Sequence, residues 1–267
     1  MTIAILLTCF NRREKTLECL ASLADQNLPA GFSCQTVLVD DGSTDGTESA
    51  VREKFPAVHL IRGDGSHFWC GGMRVAWRAA AKLDPDYYLL VNDDTHLDRD
   101  ALQTLLEMTG HPDTRTIAVA AIRDPASGAR TYGGIRGNGT PVEITGKLEA
   151  CDTFNANAAL VPRAVHTERG GFHTAYTHAL GDFDYGYQAS RRGIRILQSQ
   201  RALGTCAQNG AGGTWRDRSL STRQRLRMLQ SPKGLPFKEW STFNRRNSGW
   251  KWPLHSVSPF LRIILGR

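Results

Sequence analysis

The chain has 267 residues, 40% of them hydrophobic and 22% charged, which is enough for a packed α/β core with an appendage and excludes a disordered chain. Its net charge of +7 is confined to one end: residues 215–267 carry 12 Lys and Arg against two acids, whereas residues 1–214 carry 21 against 24. No apolar run is long enough to span a bilayer, and the six cysteines form no CxxC pair or other metal-ligand spacing.

The opening ten residues are apolar, with Arg12 and Arg13 after them rather than before. That order reads as a first strand over residues 3–8, not an export signal, so a cytoplasmic protein with reduced thiols is expected. Leu17, Leu20, Leu23 and Ala24 share one face of a predicted helix. A second buried strand over 36–39 runs into Asp40, Asp41, Gly42 and Ser43, and Thr44 and Asp45 offer N-cap chemistry for a helix ending near Phe55. Residues 58–61 form a third strand. A glycine-rich loop at Gly71 and Gly72 then leads into a helix through Ala76 and Ala80. Residues 87–91 are a fourth strand, followed by Asn92, Asp93, Asp94 and Thr95; Asp98 or Asp100 starts the next helix, and 117–122 is a fifth strand. This alternation predicts a mainly parallel, Rossmann-like sheet with helices on both faces.

The second half is less regular. Residues 128–146 are Gly-rich and suggest hairpins or an inserted loop. A strand over 153–161, a helix over 179–193 and a last strand over 194–197 follow, before a polar, Gly-rich stretch and the basic tail.

In open α/β sheets the ligand site lies outside the carboxyl ends of the strands. Three acidic clusters fall at or near such ends: Asp40 with Asp41, Asp93 with Asp94, and Asp182 with Asp184. Converging carboxylates repel one another unless a cation sits among them, and an oxygen-rich set without a His–Cys group suits Mg2+ or Mn2+. The first strand is followed by neither GxGxxG nor a Walker GxxxxGK[ST] loop, which disfavours a dehydrogenase and a P-loop enzyme. Taken singly, Asp40, Asp45 and Asp98 are ordinary cap or turn residues, and His173 and His178 read as loop residues.

Five segments in order resemble glycosyltransferase family 2: Thr8-Cys9-Phe10-Asn11-Arg12; residues 39–47, from Val39-Asp40-Asp41-Gly42-Ser43 to Thr47; His67-Phe68-Trp69-Cys70-Gly71-Gly72; Leu90-Val91-Asn92-Asp93-Asp94-Thr95; and Gly181-Asp182-Phe183-Asp184-Tyr185-Gly186-Tyr187. The resemblance covers about residues 1–205 and implies a GT-A fold and an inverting transfer of a sugar from a nucleotide diphosphate donor to a hydroxyl. It implies that Thr8, Phe10, Asn11 and Arg12 line the nucleotide pocket, that Asp41 accepts from the base N–H, and that Asp40 supports the loop or meets the ribose. Asp94 would hold Mn2+ or Mg2+, with Asp93 beside it as second ligand or, like Asn92, on the ribose. Gly71 and Gly72 would allow either close packing or approach of the donor. Trp69, beside the glycines, is either core or a contact to acceptor or donor, with the acceptor side favoured, and Asn155 and Asn157 are expected on the acceptor side. Asp182 would be the general base, with Asp184 as the alternative base or as the residue that fixes the helix. The family often has a His after the last strand, where Thr205-Cys206-Ala207-Gln208-Asn209 has none, and an acid before the base, where Gly181 stands.

The expected division is a catalytic domain over 1–214, its nucleotide-sugar half 1–122 and its acceptor half 123–214, with a basic, aromatic extension over 215–267. Four of six tryptophans lie in that extension. Basic residues interleaved with Trp and Phe suit an anionic membrane surface, and through it a lipid-linked saccharide acceptor of cell-surface polysaccharide synthesis. A helical appendage packing its aromatics on the main domain is the alternative. A sugar nucleotidyltransferase would want a Gly-rich loop with Arg or Lys right after the first strand. A polyanion or nucleic-acid binder explains the tail but not the acids, so no nucleic-acid partner is expected.

Overall fold

The computed structural model describes residues 1–210 and 212–266. Strand β1 (Thr2–Cys9) is buried along all but its first residue. Its side chains alternate between two cores: Ala4 and Leu6 enter one, Ile3, Ile5 and Leu7 the other. A strand apolar on both faces must be covered on both. Helices α1 (Arg13–Ala24), α2 (Thr47–Lys54) and α4 (Ala101–Thr109) close one face, through Leu20, Leu23, Val51, Leu102 and Leu105. Helices α3 (Phe68–Ala81), α5 (Arg163–Arg169) and α6 (Gly181–Ser190) close the other, through Met73, Trp77, Val165, Tyr185 and Ala189.

The remaining strands are β2 (Ser33–Asp40), β3 (His59–Arg62), β4 (Tyr87–Val91), β5 (His96–Leu97), β6 (Thr116–Arg123), β7 (Arg130–Tyr132), β8 (Gly134–Ile135), β9 (Glu149–Ala150), β10 (Thr153–Phe154), β11 (Ala158–Pro162) and β12 (Arg195–Thr205). The main sheet runs β3-β2-β1-β4-β11-β6-β12-β5, with β7 on β6 and β9 on β12. Strands β1 to β4 pair in parallel, as do β6 and β12. Strand β11 is antiparallel to both β4 and β6, so it joins two blocks whose strands point the same way. The expected mainly parallel α/β sheet is therefore present, with one reversed strand at its centre.

Three expected details differ. Gly71 and Gly72 are not in a loop but in the first turns of α3, which begins at Phe68. The stretch 153–161 splits into β10, in a small separate sheet with β8, and β11 in the main sheet. The last strand, β12, extends to Thr205, because its far half finds partners in β6 and β5.

The basic tail is helical: α7 (Thr222–Leu229), α8 (Phe237–Asn247), a 3-10 turn (Gly249–Lys251) and α9 (Trp252–Ile264). A capping box between Ser221 and Gln224 starts α7. Helix α8 packs on the body: Phe243 is buried and lies 6.5 Å from the Tyr176 ring and 6.3 Å from that of Tyr187. Helix α9 does not bury its outer face. Leu254, Val257, Leu261 and Ile264, one stripe at helical spacing, are 40–65% exposed, and Trp250 just before it is 81% exposed. Among the described residues no helix is long and apolar enough to cross a membrane, and the six cysteines are free thiols.

Candidate active site

The strand order reverses between β1 and β4, and the loops after β1, β2 and β4 gather at the carboxyl edge there. A cavity of about 370 Å³ opens at that point. Thr8, Cys9, Phe10 and Arg12 line it from β1 and its loop, Asp41 and Gly65 from the β2 side, Asp93 from the β4 loop, and Phe68 and Trp69 from α3. His178, read from the sequence as a loop residue, and Lys233 of the basic extension complete the wall.

The two acids after β2 have different surroundings. Asp40 is fully buried beneath the loop, receiving Ser43 N–H at 2.8 Å and Arg62 at 2.9 Å. Asp41 faces the cavity, but its carboxylate already accepts from the backbone N–H groups of Gly65 (3.1 Å), His67 (3.3 Å) and Phe68 (2.8 Å). It thereby anchors the start of α3, where Phe68 has φ +52°. A left-handed aromatic residue costs on the order of 1–3 kcal/mol, and its place in a cavity wall ties that strain to the site. Asn11, also left-handed at φ +50°, joins the β1 and β2 loops by accepting from Thr44 N–H at 2.8 Å.

Gly72 is set by space. A Cβ there would lie 2.1 Å from Thr8 Oγ1 and 2.8 Å from Thr8 Cβ, so α3 rests directly on the end of β1. Thr8 Oγ1 is buried without a hydrogen-bond partner. Gly71 meets no such limit; its N–H donates to Thr177 O at 3.1 Å.

After β4, the Trp69 indole N–H donates to Asn92 Oδ1 at 2.8 Å, linking α3 to the acidic loop. Arg12 spans the next two residues, with Nη1 3.1 Å from Asp93 and Nη2 2.5 Å from Asp94. Burial pushes the Asp93 carboxyl up to about 7, against the opposing pull of Arg12. Asp93 Oδ2 is buried and without a partner. An orphaned carboxylate oxygen beside a second carboxylate is a donor set that fits a hard divalent cation, and Arg12 now occupies the gap between the two. Behind Asp94, burial and then the Asp94 charge push the Cys206 thiol up to about 12. A second group, Asp41, Asp64 and His67, has ligand atoms within 4.8 Å of one another and can also hold a metal ion.

Asp182 lies in the first turn of α6 and is 8% exposed. Burial pushes its carboxyl up to about 6, while the N–H groups of Ala156 (3.1 Å) and Phe183 (2.9 Å) partly offset this. Its neighbour Gly181 packs on Cys70 of α3; a Cβ there would come within 2.3 Å of Cys70 Sγ, which explains why no acid precedes Asp182. Asp184 points elsewhere, its carboxylate taken by Arg246 Nε at 2.9 Å and Asn247 Nδ2 at 2.8 Å from α8. Asn157 is buried and donates to Thr95 Oγ1 at 3.2 Å, and Asn155 donates its backbone N–H to Gly133 O at 3.0 Å.

The family model for "Glycosyl transferase family 2" matches residues 4–160, more than half of the chain and all of the strands that form the cavity. The chain belongs to glycosyl transferase family 2. This transferase has the GT-A fold. It resembles a mannosyltransferase, PcManGT from Pyrobaculum calidifontis in complex with GDP-Man and Mn2+, at TM-score 0.63 and 17% identity, over 99% of this chain and 73% of that one. It also resembles residues 1–349 of TarS from S. aureus in complex with UDP-GlcNAc, at TM-score 0.61 and 15% identity, over 98% and 72%. None of the curated proteins matches it in sequence. Membership of the family makes it a glycosyltransferase.

Sequence reading did not place His178 or Lys233 in the cavity, because each reaches it only through tertiary packing. Burial and then Lys233 lower the His178 imidazole to about 4, so it is neutral at pH 7 and its Nδ1 accepts from Trp69 N–H at 3.4 Å.

Proposed function

We propose that this transferase moves a sugar, with inversion at the anomeric carbon, from a nucleoside diphosphate donor to a hydroxyl of a glycan or lipid-linked saccharide. The observation that carries this reading is the cavity at the β1–β4 reversal, lined by Arg12, Asp41 and Asp93, together with the buried Asp182 on the adjoining α6. Thr8, Phe10, Asn11 and Arg12 hold the nucleotide from the β1 side, Asp40 keeps its loop in shape, and Asp41 meets the base. A pyrimidine N3–H suits a carboxylate acceptor, which favours UDP- or dTDP-sugars; the two similar structures contain GDP-Man and UDP-GlcNAc.

Asp182 takes the proton from the acceptor hydroxyl. Its raised value of about 6 leaves it ionised at pH 7 yet basic enough for the task. Backbone N–H groups on both of its oxygens fix its orientation. Asp94 and Asp93 would hold a divalent ion, Mn2+ or Mg2+, once Arg12 turns toward the incoming diphosphate. When bound, such an ion supplies Lewis-acid compensation for charge on the departing diphosphate. Trp69, with Asn92 behind it, and the β10–β11 segment carrying Asn155 and Asn157 border the acceptor side.

The C-terminal extension brings the enzyme to an anionic membrane at its cytoplasmic face, where a lipid-linked acceptor resides. The exposed stripe of α9 and Trp250 supply apolar contact, Lys238, Arg245, Lys251 and Arg262 supply charge, and no acid follows Glu239.

Thermal unfolding with UDP-, dTDP-, GDP- and CMP-sugars, in Mn2+, Mg2+ or EDTA, tests the reading. A donor at a hundred times its Kd stabilises the fold by about 2.7 kcal/mol. A metal-dependent shift with one nucleotide class is expected, followed by transfer to a saccharide acceptor; no shift with any donor overturns it.

A further inference from the structure

Before a donor binds, the acids at the cavity outnumber the cations free to meet a diphosphate. Asp41 and Asp93 line it, and the Arg12 guanidinium is committed to Asp93 and Asp94. A nucleoside diphosphate adds two or three negative charges to such a space. The other cation in the wall is Lys233, exposed and, among the described residues, in no ion pair or hydrogen bond. It comes from the C-terminal extension, outside the matched family region of 4–160.

The turn that presents Lys233 is built to stay in place. Gly234 N–H donates to Ser231 O and Leu235 N–H to Leu229 O, both at 2.8 Å, and Leu229 is fully buried. A Cβ on Gly234 would lie 2.2 Å from Met228 O, so the turn closes tightly on the end of α7. The following helix is pinned to the cavity wall. Glu239 of α8 accepts from Thr177 N–H at 3.0 Å, and Thr177 O accepts from Gly71 N–H of α3 at 3.1 Å. A fixed backbone with a flexible four-carbon ammonium arm suits a phosphate group that arrives and leaves once per cycle.

We propose that Lys233 binds the diphosphate of the donor, so that the α7–α8 turn of the basic extension completes the donor site. This rests on the cavity being the nucleotide-sugar site. Lys233 adds its charge to that of Arg12, which must leave Asp93 and Asp94 before it can meet the diphosphate, and it holds the diphosphate leaving group.

The test compares full-length wild type with Lys233→Met and Lys233→Arg, by calorimetric titration of UDP, dTDP and GDP, their monophosphates and their nucleosides. For the diphosphate that wild type binds best, Lys233→Met lowers affinity at least about tenfold, the worth of one charge-assisted contact. It lowers the monophosphate less and the nucleoside not at all, and Lys233→Arg recovers most of the loss. Unchanged diphosphate affinity in Lys233→Met overturns the proposal, as does an equal loss for nucleoside, monophosphate and diphosphate, which marks a structural effect. If wild type binds none of the nucleotides, the donor-site reading itself falls and the role of Lys233 with it.

Discussion

Arg246 Nε of α8 lies 2.9 Å from Asp184 Oδ1 of α6, 62 positions earlier in the chain. Asp184 is 2% exposed and Arg246 30%, so the pair joins the basic extension to the helix that carries Asp182, two residues from Asp184. Arg246→Met leaves a buried carboxylate with Asn247 as its partner. A cost of about 2–3 kcal/mol is expected, at the low end for a broken buried pair because the arginine is partly in water. Denaturant unfolding measures it, and a change below about 0.5 kcal/mol would reduce the pair to a surface contact.

Asp182 is expected to set the acid limb of activity. Its carboxyl, raised from the ordinary 3.8 to about 6, works as a base only when ionised, so kcat/KM falls as pH drops through about 6. Stability has the opposite trend. Between those two values the folded protein holds a proton that the unfolded chain has released, so Asp182's contribution declines as pH rises through that window and levels off above it. Asp182→Asn should lower turnover at least about a hundredfold and keep the donor-induced thermal shift. Turnover within a few-fold of wild type would move the base elsewhere.

Asp94→Ala should abolish the difference between Mn2+ and EDTA in donor-induced stabilisation. Asp94 is paired with Arg12 in this structure, so the variant also frees that guanidinium, and metal-independent nucleotide binding should persist. A metal response equal to wild type would point to the Asp41, Asp64 and His67 group instead.

Gly72→Ala should cost about 1–3 kcal/mol and weaken donor binding, because the new methyl overlaps Thr8 at the mouth of β1. Thr8→Ala in the same chain should restore part of both. Additive losses in the double variant would show that the two residues do not share the space.

Leu261→Glu with Ile264→Glu changes two side chains that are 51% and 60% exposed, so unfolding temperature and nucleotide binding should not move. Each apolar side chain withdrawn from water is worth about 1.5–3 kcal/mol, so binding to phosphatidylglycerol vesicles should fall more than about tenfold. Undiminished binding would leave α9 without a membrane role, and loss of a dimer in light scattering would assign its stripe to a second copy of the chain.

The sequence by itself determined the alternation of buried strands and amphipathic helices, and with it the doubly wound sheet. Those signals are local: Ile3, Ile5 and Leu7 against Ala4 and Leu6 carry the period of a two-sided strand within a few residues. It also placed Asp41 and Asp93 directly after strand ends, and the topology of such sheets gathers strand ends at one edge. Only the tertiary structure decided what each acid touches. Arg12 between Asp93 and Asp94, Arg246 on Asp184, and Lys233 facing the cavity all join residues about sixty or more positions apart, or far-separated segments of the chain. Strand β11 likewise runs against its neighbours because of the path of the whole second half. A charged side chain finds its partner through the packing of elements that are remote in sequence, and no local period or propensity encodes that meeting.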